Sequence, residues 1–285
     1  MKRYNIRLFC SFLITVKVFS MIPSNPSKYG EARDETFSSL KSTRPLIEAV
    51  IFDLDGTLLD TERLSDEAML FALFNLTREN VSRDEDLLLP LPLKQSILGM
   101  RGSEWSPLVL DYYKGKEDLQ YKMNNLSAPE LWKQWDKRLI ELCADVRECP
   151  GATELVSYLS NSNVAMAIAT SSQKHSVSIK KKKHEQNIFN HMSVIVCGDD
   201  SELERGKPAP DIYNLAAKRL GVLPRNCLVF EDAMAGIISA KTAGCQVVAV
   251  PDPRMNKEEF MKNADVVTSL QSFRLEEHFK LAKVQ

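Results

Sequence analysis

No pair of the six cysteines stands in a C-x-x-C arrangement, and their spacings build no short regular framework. A disulfide scaffold and a zinc ribbon are therefore excluded, and a reducing compartment is the simpler inference. His175, His184 and His191 carry no spacing that suits a zinc site. Charge of either sign is not in surplus: 37 basic against 38 acidic residues leave a net charge of −1. Nothing in that balance calls for nucleic acid or an anionic membrane as partner. A bilayer span of ~20 apolar residues is missing too. The apolar run 8–16 is too short, and Lys17 ends it. Stable membrane insertion is not expected. Acidic residues are absent before Glu31. This basic start reads as a poorly ordered extension, or as mitochondrial or secretory targeting by residues 1–20. Residues 22–44, with Pro23, Pro26 and many serines and lysines, read as a linker. Residues 1–44 are accordingly set apart, and a cytoplasmic monomer is expected of the remainder.

From Glu48 onward a short apolar run, a turn and a helical stretch alternate. The runs at 49–52, 164–169, 194–197, 227–230 and 246–250 are continuously apolar, as strands buried on both faces of a parallel sheet are. Helical patterns fall at 152–159, 176–183, 212–220 and 234–243. Pro210-Asp211 opens the third, and Gly244 closes the fourth. The pattern predicts an α/β fold with a doubly wound parallel sheet. More than a hundred residues separate the first strand from the second, with amphipathic helical sequence at 65–76 and 128–142 and no convincing strand. The expected organisation is a core of residues 45–62 and 145–285, with an inserted α-helical cap at 63–144.

Ligands of such sheets bind beyond the carboxyl ends of the strands, and the residues there are chemically loaded. The first strand runs into Asp53-Leu-Asp55-Gly-Thr, the second into Thr170-Ser171-Ser172, and the third into Gly198-Asp-Asp200 and then Gly206-Lys207-Pro. The fourth runs into Glu231-Asp232-Ala. A carboxylate can attack phosphorus and form an acyl phosphate. The obstacle is charge, since two anions about 4 Å apart repel by about 4 kcal/mol at an effective dielectric of about 20. Mg²⁺ held by carboxylates removes that repulsion. A lysine and hydroxyl donors take up phosphate oxygens, and a second carboxyl delivers the proton to the leaving group. Thr170 or Asp232 alone would pass for a helix cap, and Lys207 alone for a loop lysine; their joint placement at strand ends favours a site. Glu231 either joins the metal ligands or orients a neighbour. The lysine run 180–183, followed by His184, imitates a nuclear signal or phosphate patch, but it falls in a helical stretch and reads as a solvated helix face. In the cap, glycines flank Arg101 within Ile-Leu-Gly99-Met-Arg101-Gly-Ser-Glu104. That pattern suits a mobile loop offering a cation to the substrate.

Together, Asp53-Leu-Asp-Gly-Thr-Leu-Leu-Asp60, Thr170-Ser171, Gly206-Lys-Pro-Ala-Pro-Asp211 and Glu231-Asp-Ala-Met-Ala-Gly236 resemble the four motifs of the haloacid dehalogenase superfamily, in order, over residues 48 to about 272. The resemblance implies a Rossmann-like haloacid dehalogenase core and a phosphatase using Mg²⁺. It implies Asp53 as nucleophile and metal ligand, and Asp55 as acid/base and ligand through its backbone carbonyl. Asp232 with Glu231 would complete the metal site, and Thr170, Ser171 and Lys207 would bind the phosphate. The helical insertion is similar to the cap of the group that includes β-phosphoglucomutase and the sugar- and polyol-phosphate phosphatases. The core stretches are similar to the pseudouridine-5'-phosphatase subgroup. A small phosphorylated metabolite such as pseudouridine 5'-phosphate is the implied substrate. A glycerol- or 2-deoxyglucose-type phosphate, or phosphomutase chemistry, is the alternative.

Overall fold

A computed structural model describes residues 44–77, 89–116 and 126–282; the expected N-terminal extension lies outside these residues, apart from Arg44. Six parallel strands form the central sheet in the order β4-β3-β2-β5-β6-β7, with β2 at Ala49–Phe52, β3 at Ala165–Ala169, β4 at Val194–Val196, β5 at Cys227–Glu231, β6 at Gln246–Ala249 and β7 at Val266–Val267. The register pairs Phe52 with Ile168 on one side and with Phe230 on the other. All four residues of β2 are buried, as a strand with a neighbour on each edge and helices on each face requires.

Successive residues serve opposite faces. Val50, Phe52, Ile168, Leu228 and Phe230 join one apolar cluster, under Leu155, Val156 and Leu159 of the helix Ala152–Asn161. Ala49, Ile51, Ala167, Val229 and Val247 join the other, against Ile212, Tyr213 and Ala216 of the helix Asp211–Leu220 and Ile237 and Ala240 of the helix Met234–Ala243. The fold is the doubly wound α/β sheet that the apolar runs predict. Two features were not foreseen: β7, and a separate parallel pair of β1 (Leu46–Ile47) with β8 (Lys280–Leu281). Runs of two residues are too short to show any period.

The chain leaves β2 for β3 and β4 on one side, then returns to lay β5 on the other. That reversal opens a crevice at the carboxyl end of β2, the place where open α/β sheets bind ligands. Between β2 and β3, ahead of the helix Ala152–Asn161, come α1 (Glu62–Thr77), α2 (Leu91–Ile97), α3 (Gly102–Lys114) and the helix Ala128–Cys143. Their apolar residues Met69, Leu73, Ile97, Trp105, Val109, Tyr113 and Leu131 form a third cluster of their own, with no strand in it. Ser127 starts the last helix with a capping box: its Oγ accepts from Glu130 N at 3.4 Å, and the Glu130 carboxylate accepts from Ser127 N at 3.3 Å. Among the described residues no helix is long and apolar enough to cross a membrane.

Candidate active site

Asp53 follows β2 directly, and its N–H still donates to Phe230 O at 3.0 Å, so the nucleophile candidate is fixed by the sheet. It is 6% exposed. Three residues on, the chain turns at Gly56, with φ +84°; a Cβ there would lie 2.2 Å from Asp232 Oδ2. Only glycine lets the first loop approach the end of β5 so closely. Thr57 Oγ1 completes the join, donating to Asp232 Oδ1 at 2.9 Å.

Lys207 comes from the loop preceding the helix Asp211–Leu220 and is fully buried. Its Nζ lies 2.5 Å from Asp53 Oδ1, 2.7 Å from Glu231 Oε1 and 3.1 Å from Ala169 O. A buried ammonium needs such saturation. Glu231 is held in turn: Tyr213 OH donates to its Oε1 at 2.7 Å, and Ala233 N donates to its Oε2 at 3.0 Å. Both Glu231 oxygens thus have protein donors. Gly236 makes room for this carboxylate, since a Cβ there would come within 1.6 Å of Glu231 Oε1.

Ligand atoms of Asp53, Glu231 and Asp232 lie within 4.8 Å of one another. Burial, outweighing the nearby Lys207, pushes the Asp53 carboxyl up to about 7. Burial and the charges of Glu231 and Asp53 push Asp232 well above the carboxylate range. Three carboxyl groups share the single Lys207, so ionising all of them would leave two negative charges uncompensated. A cluster of hard oxygen donors with that residual charge fits a divalent cation such as Mg²⁺.

Asp55 faces a different set of partners. Lys180 Nζ donates to its Oδ1 at 2.6 Å, and Ser172 Oγ donates to its Oδ2 at 2.7 Å. Thr170 Oγ1 lies 3.4 Å from the same Oδ2. Burial alone would raise the Asp55 carboxyl; Lys180 holds it below its ordinary value. The reading of residues 180–183 as a solvated helix face is therefore wrong for Lys180, which is fully buried, while Lys182 and Lys183 are exposed. The missed signal was helical phase. Ser176 and Val177, four and three residues earlier, are buried on the same side of the helix Lys174–His184. Asp200 is turned elsewhere, to Arg219 Nη1 at 2.7 Å.

Above these carboxylates lies a cavity of about 150 Å³, lined by Asp53, Asp55, Thr170 and Ser171 from the core. From the helical insertion it takes Trp105, Trp132 and Trp135, all three tryptophans of the chain. Lys94 lines it as well, its Nζ 2.7 Å from Asp66 Oδ1 and 3.3 Å from Glu62 Oε2. Glu62, Lys94 and the tryptophans went unread in the sequence, where single polar or aromatic residues on helices carry no positional signal. The insertion touches the core through Ala68, Leu139 and Cys143, which join the cluster of Phe52 and Phe230, and through its glycine loop, where Ser171 Oγ donates to Gly99 O at 2.6 Å. Within the insertion, a Cβ on Gly102 would lie 2.0 Å from Trp132 Nε1. Arg101 does not line the cavity; it begins α3, where its N–H donates to Glu104 Oε2 at 3.1 Å, and its Cδ would lie 2.9 Å from a Cβ on Gly206. Its Nη2 is buried with no hydrogen-bond partner.

Comparison with known proteins agrees with this geometry. Over 236 residues the chain is 33% identical to a probable pseudouridine-5'-phosphatase of Drosophila melanogaster, covering 80% of this chain and 91% of that protein. It is 32% identical to (DL)-glycerol-3-phosphatase 2 of Arabidopsis thaliana, over 84% and 94% of the two chains. The crystal structure of CbbY from Rhodobacter sphaeroides in complex with phosphate superimposes with a TM-score of 0.64 at 26% identity, over 79% of this chain and 96% of that one. The haloacid dehalogenase-like hydrolase model matches residues 47–244, from β1 to the end of the helix after β5. By sequence and by fold, this chain belongs to the haloacid dehalogenase-like hydrolases.

Proposed function

We propose that this enzyme, a haloacid dehalogenase-type phosphatase, hydrolyses a small phosphate monoester through a phosphorylated Asp53, with Mg²⁺ as cofactor. The observation that carries the reading is a buried carboxylate at the sheet's crossover point, 2.5 Å from a lysine ammonium and facing the cavity. An Asp53 oxygen attacks phosphorus, and the ester oxygen leaves with a proton from the neutral form of Asp55, the minor form beside Lys180. Water then attacks the acyl phosphate, returning its proton to Asp55 and releasing inorganic phosphate and free Asp53. Thr170 and the Ser171 backbone N–H, the Ser171 hydroxyl being held by Gly99 O, donate to the non-bridging oxygens, and Lys207 does so by exchanging its bond to Asp53. Asp53, Asp232 and the Asp55 carbonyl would hold Mg²⁺, within the cluster that Glu231 joins; when bound, it neutralises the carboxylate repulsion and polarises the phosphoryl group. Glu231, with both oxygens already engaged, orients Lys207.

The proposed substrate is a ribosyl-type monophosphate such as pseudouridine 5'-phosphate. Two facts support it: the Drosophila relative's name, and a cavity faced by three tryptophans against which a planar base can lie. Arg101, with an unpartnered buried nitrogen beside the loop of Lys207, is the cap cation proposed to reach the substrate. A second reading is a glycerol-type phosphate, favoured by the Arabidopsis relative and by the Lys94–Asp66 pair, which suits hydroxyl groups. Phosphate release from pseudouridine 5'-phosphate, glycerol 3-phosphate and 2-deoxyglucose 6-phosphate, without a bisphosphate primer, separates them. The nucleotide should give the highest kcat/KM. A preference for glycerol 3-phosphate would install the second reading, and a strict need for the primer would make the enzyme a phosphomutase.

A further inference from the structure

The reaction scheme uses one fully buried lysine, Lys207, yet a second lies at the site with no exposure at all. Lys180 is fully buried at the back of the site and does not line the cavity, whereas the carboxylate it grips does, with 27% of that side chain exposed. Its Nζ donates to Asp55 Oδ1 at 2.6 Å and to Ser172 Oγ at 3.0 Å, and Ser172 Oγ donates to Asp55 Oδ2 at 2.7 Å. Lysine, serine and aspartate thus close a small ring behind the site. The two lysines also divide the acids between them: Lys207 takes Asp53 and Glu231, and Lys180 takes Asp55.

This division has a chemical consequence. A carboxylate two residues from the nucleophile, with no cation of its own, is drawn toward whatever positive charge is nearest. In this site that charge is the one the phosphate must use. Asp55 would then turn inward and compete with the substrate, and neither of its oxygens would face the leaving group. A private counter-cation on the far side prevents this.

We propose that Lys180, with Ser172, is a positioning residue that holds the Asp55 carboxyl out of the phosphate cradle and aimed into the cavity for proton transfer. This rests on the reading of Asp55 as the acid/base. Lys180 itself touches neither substrate nor metal, and its effect is transmitted wholly through Asp55.

The test is a double-mutant cycle of Lys180→Met and Asp55→Asn, with Lys180→Arg as the conservative variant. Initial rates are read on 4-nitrophenyl phosphate, whose leaving group needs little protonation, and on glycerol 3-phosphate or pseudouridine 5'-phosphate, whichever the wild type turns over faster. Melting curves accompany each variant, and the double variant, which removes both charges together, guards against loss of fold in either single one. Lys180→Met should lower kcat on the alkyl ester at least about tenfold more than on the aryl ester, with KM little changed. Lys180→Arg should recover part of the loss. In the Asp55→Asn background, Lys180→Met should cost less than about a further twofold. Equal losses on the two esters, or losses that multiply in the double variant, would overturn the proposal and leave Lys180 a structural residue. An Asp55→Asn enzyme as fast as wild type on the alkyl ester would instead remove the acid/base reading on which it stands.

Discussion

The floor of the site and its roof are built on opposite plans. On the floor every charged group is tied to a partner, and all but the half-buried Asp55 are buried: Asp53 and Glu231 to Lys207, Asp232 to Thr57, and Asp55 to Lys180. The roof is largely aromatic and apolar, with polar groups at Lys94 and its acids, at Ser65 and at Asp136, and outside the cavity an arginine nitrogen that has no partner. The floor hangs on strand ends whose register the sheet fixes. The roof hangs on helices that carry an apolar cluster of their own, and they meet the core through Ala68, Leu139 and Cys143 and through a loop with Gly99 at φ +79°. Rigid, preorganised charge suits a reaction common to all phosphate esters. Inserted helices with a cluster of their own suit the part that differs between them.

The largest effect should come from breaking the floor. Asp53→Asn should lower kcat by at least about a thousandfold on every ester, because an amide cannot form the acyl phosphate. Its melting temperature should fall little, since a neutral group relieves the crowding of carboxylates. Chelation is expected to abolish turnover in the same uniform way, with Mg²⁺ restoring it and Ca²⁺ doing so poorly. The associated stability has a definite sign. Asp53 is raised to about 7, so the metal-free protein should lose stability as pH rises from about 4 through about 7. Mg²⁺ should therefore raise the melting temperature more at about pH 8 than at about pH 5. A constant increment would argue against these carboxylates as its ligands.

Asp55→Asn should cost stability as well as rate, because it strands Lys180 as an unpaired buried charge, an effect of about 3 kcal/mol. Adding Lys180→Met should return most of that stability, read by denaturant unfolding. The smallest effect belongs to the roof. Arg101→Ala should lower kcat/KM for the preferred natural ester about tenfold, or about 1.4 kcal/mol, and barely alter 4-nitrophenyl phosphate. A uniform loss on both would erase the contrast between floor and roof at this residue.

The same contrast governs what the sequence discloses. Floor residues are legible because each follows a continuously apolar strand, and the end of a buried parallel strand is a position that sequence marks. Asp53, Lys207, Glu231 and Asp232 all meet at the crossover, and the five long strands fall where their apolar runs do. Lys180 was hidden by its neighbours: in a run of four lysines residue type distinguishes nothing, and only the buried phase set by Ser176 and Val177 selects it. The roof was hidden for another reason. Trp105, Trp132 and Trp135 lie on two helices whose mutual packing decides which faces meet the cavity, and that packing is not a local property. Strands β1, β7 and β8 escaped because pairs of residues have no pattern.

The central claim is that Asp53 carries the phosphoryl group. Turnover with the preferred ester, quenched in acid and treated with borohydride, reduces an aspartyl phosphate to homoserine, and peptide mass spectrometry locates it. Homoserine at position 53, absent without substrate and absent from Asp53→Asn, is the predicted result. Homoserine at position 55, or none anywhere during verified turnover, would contradict the account.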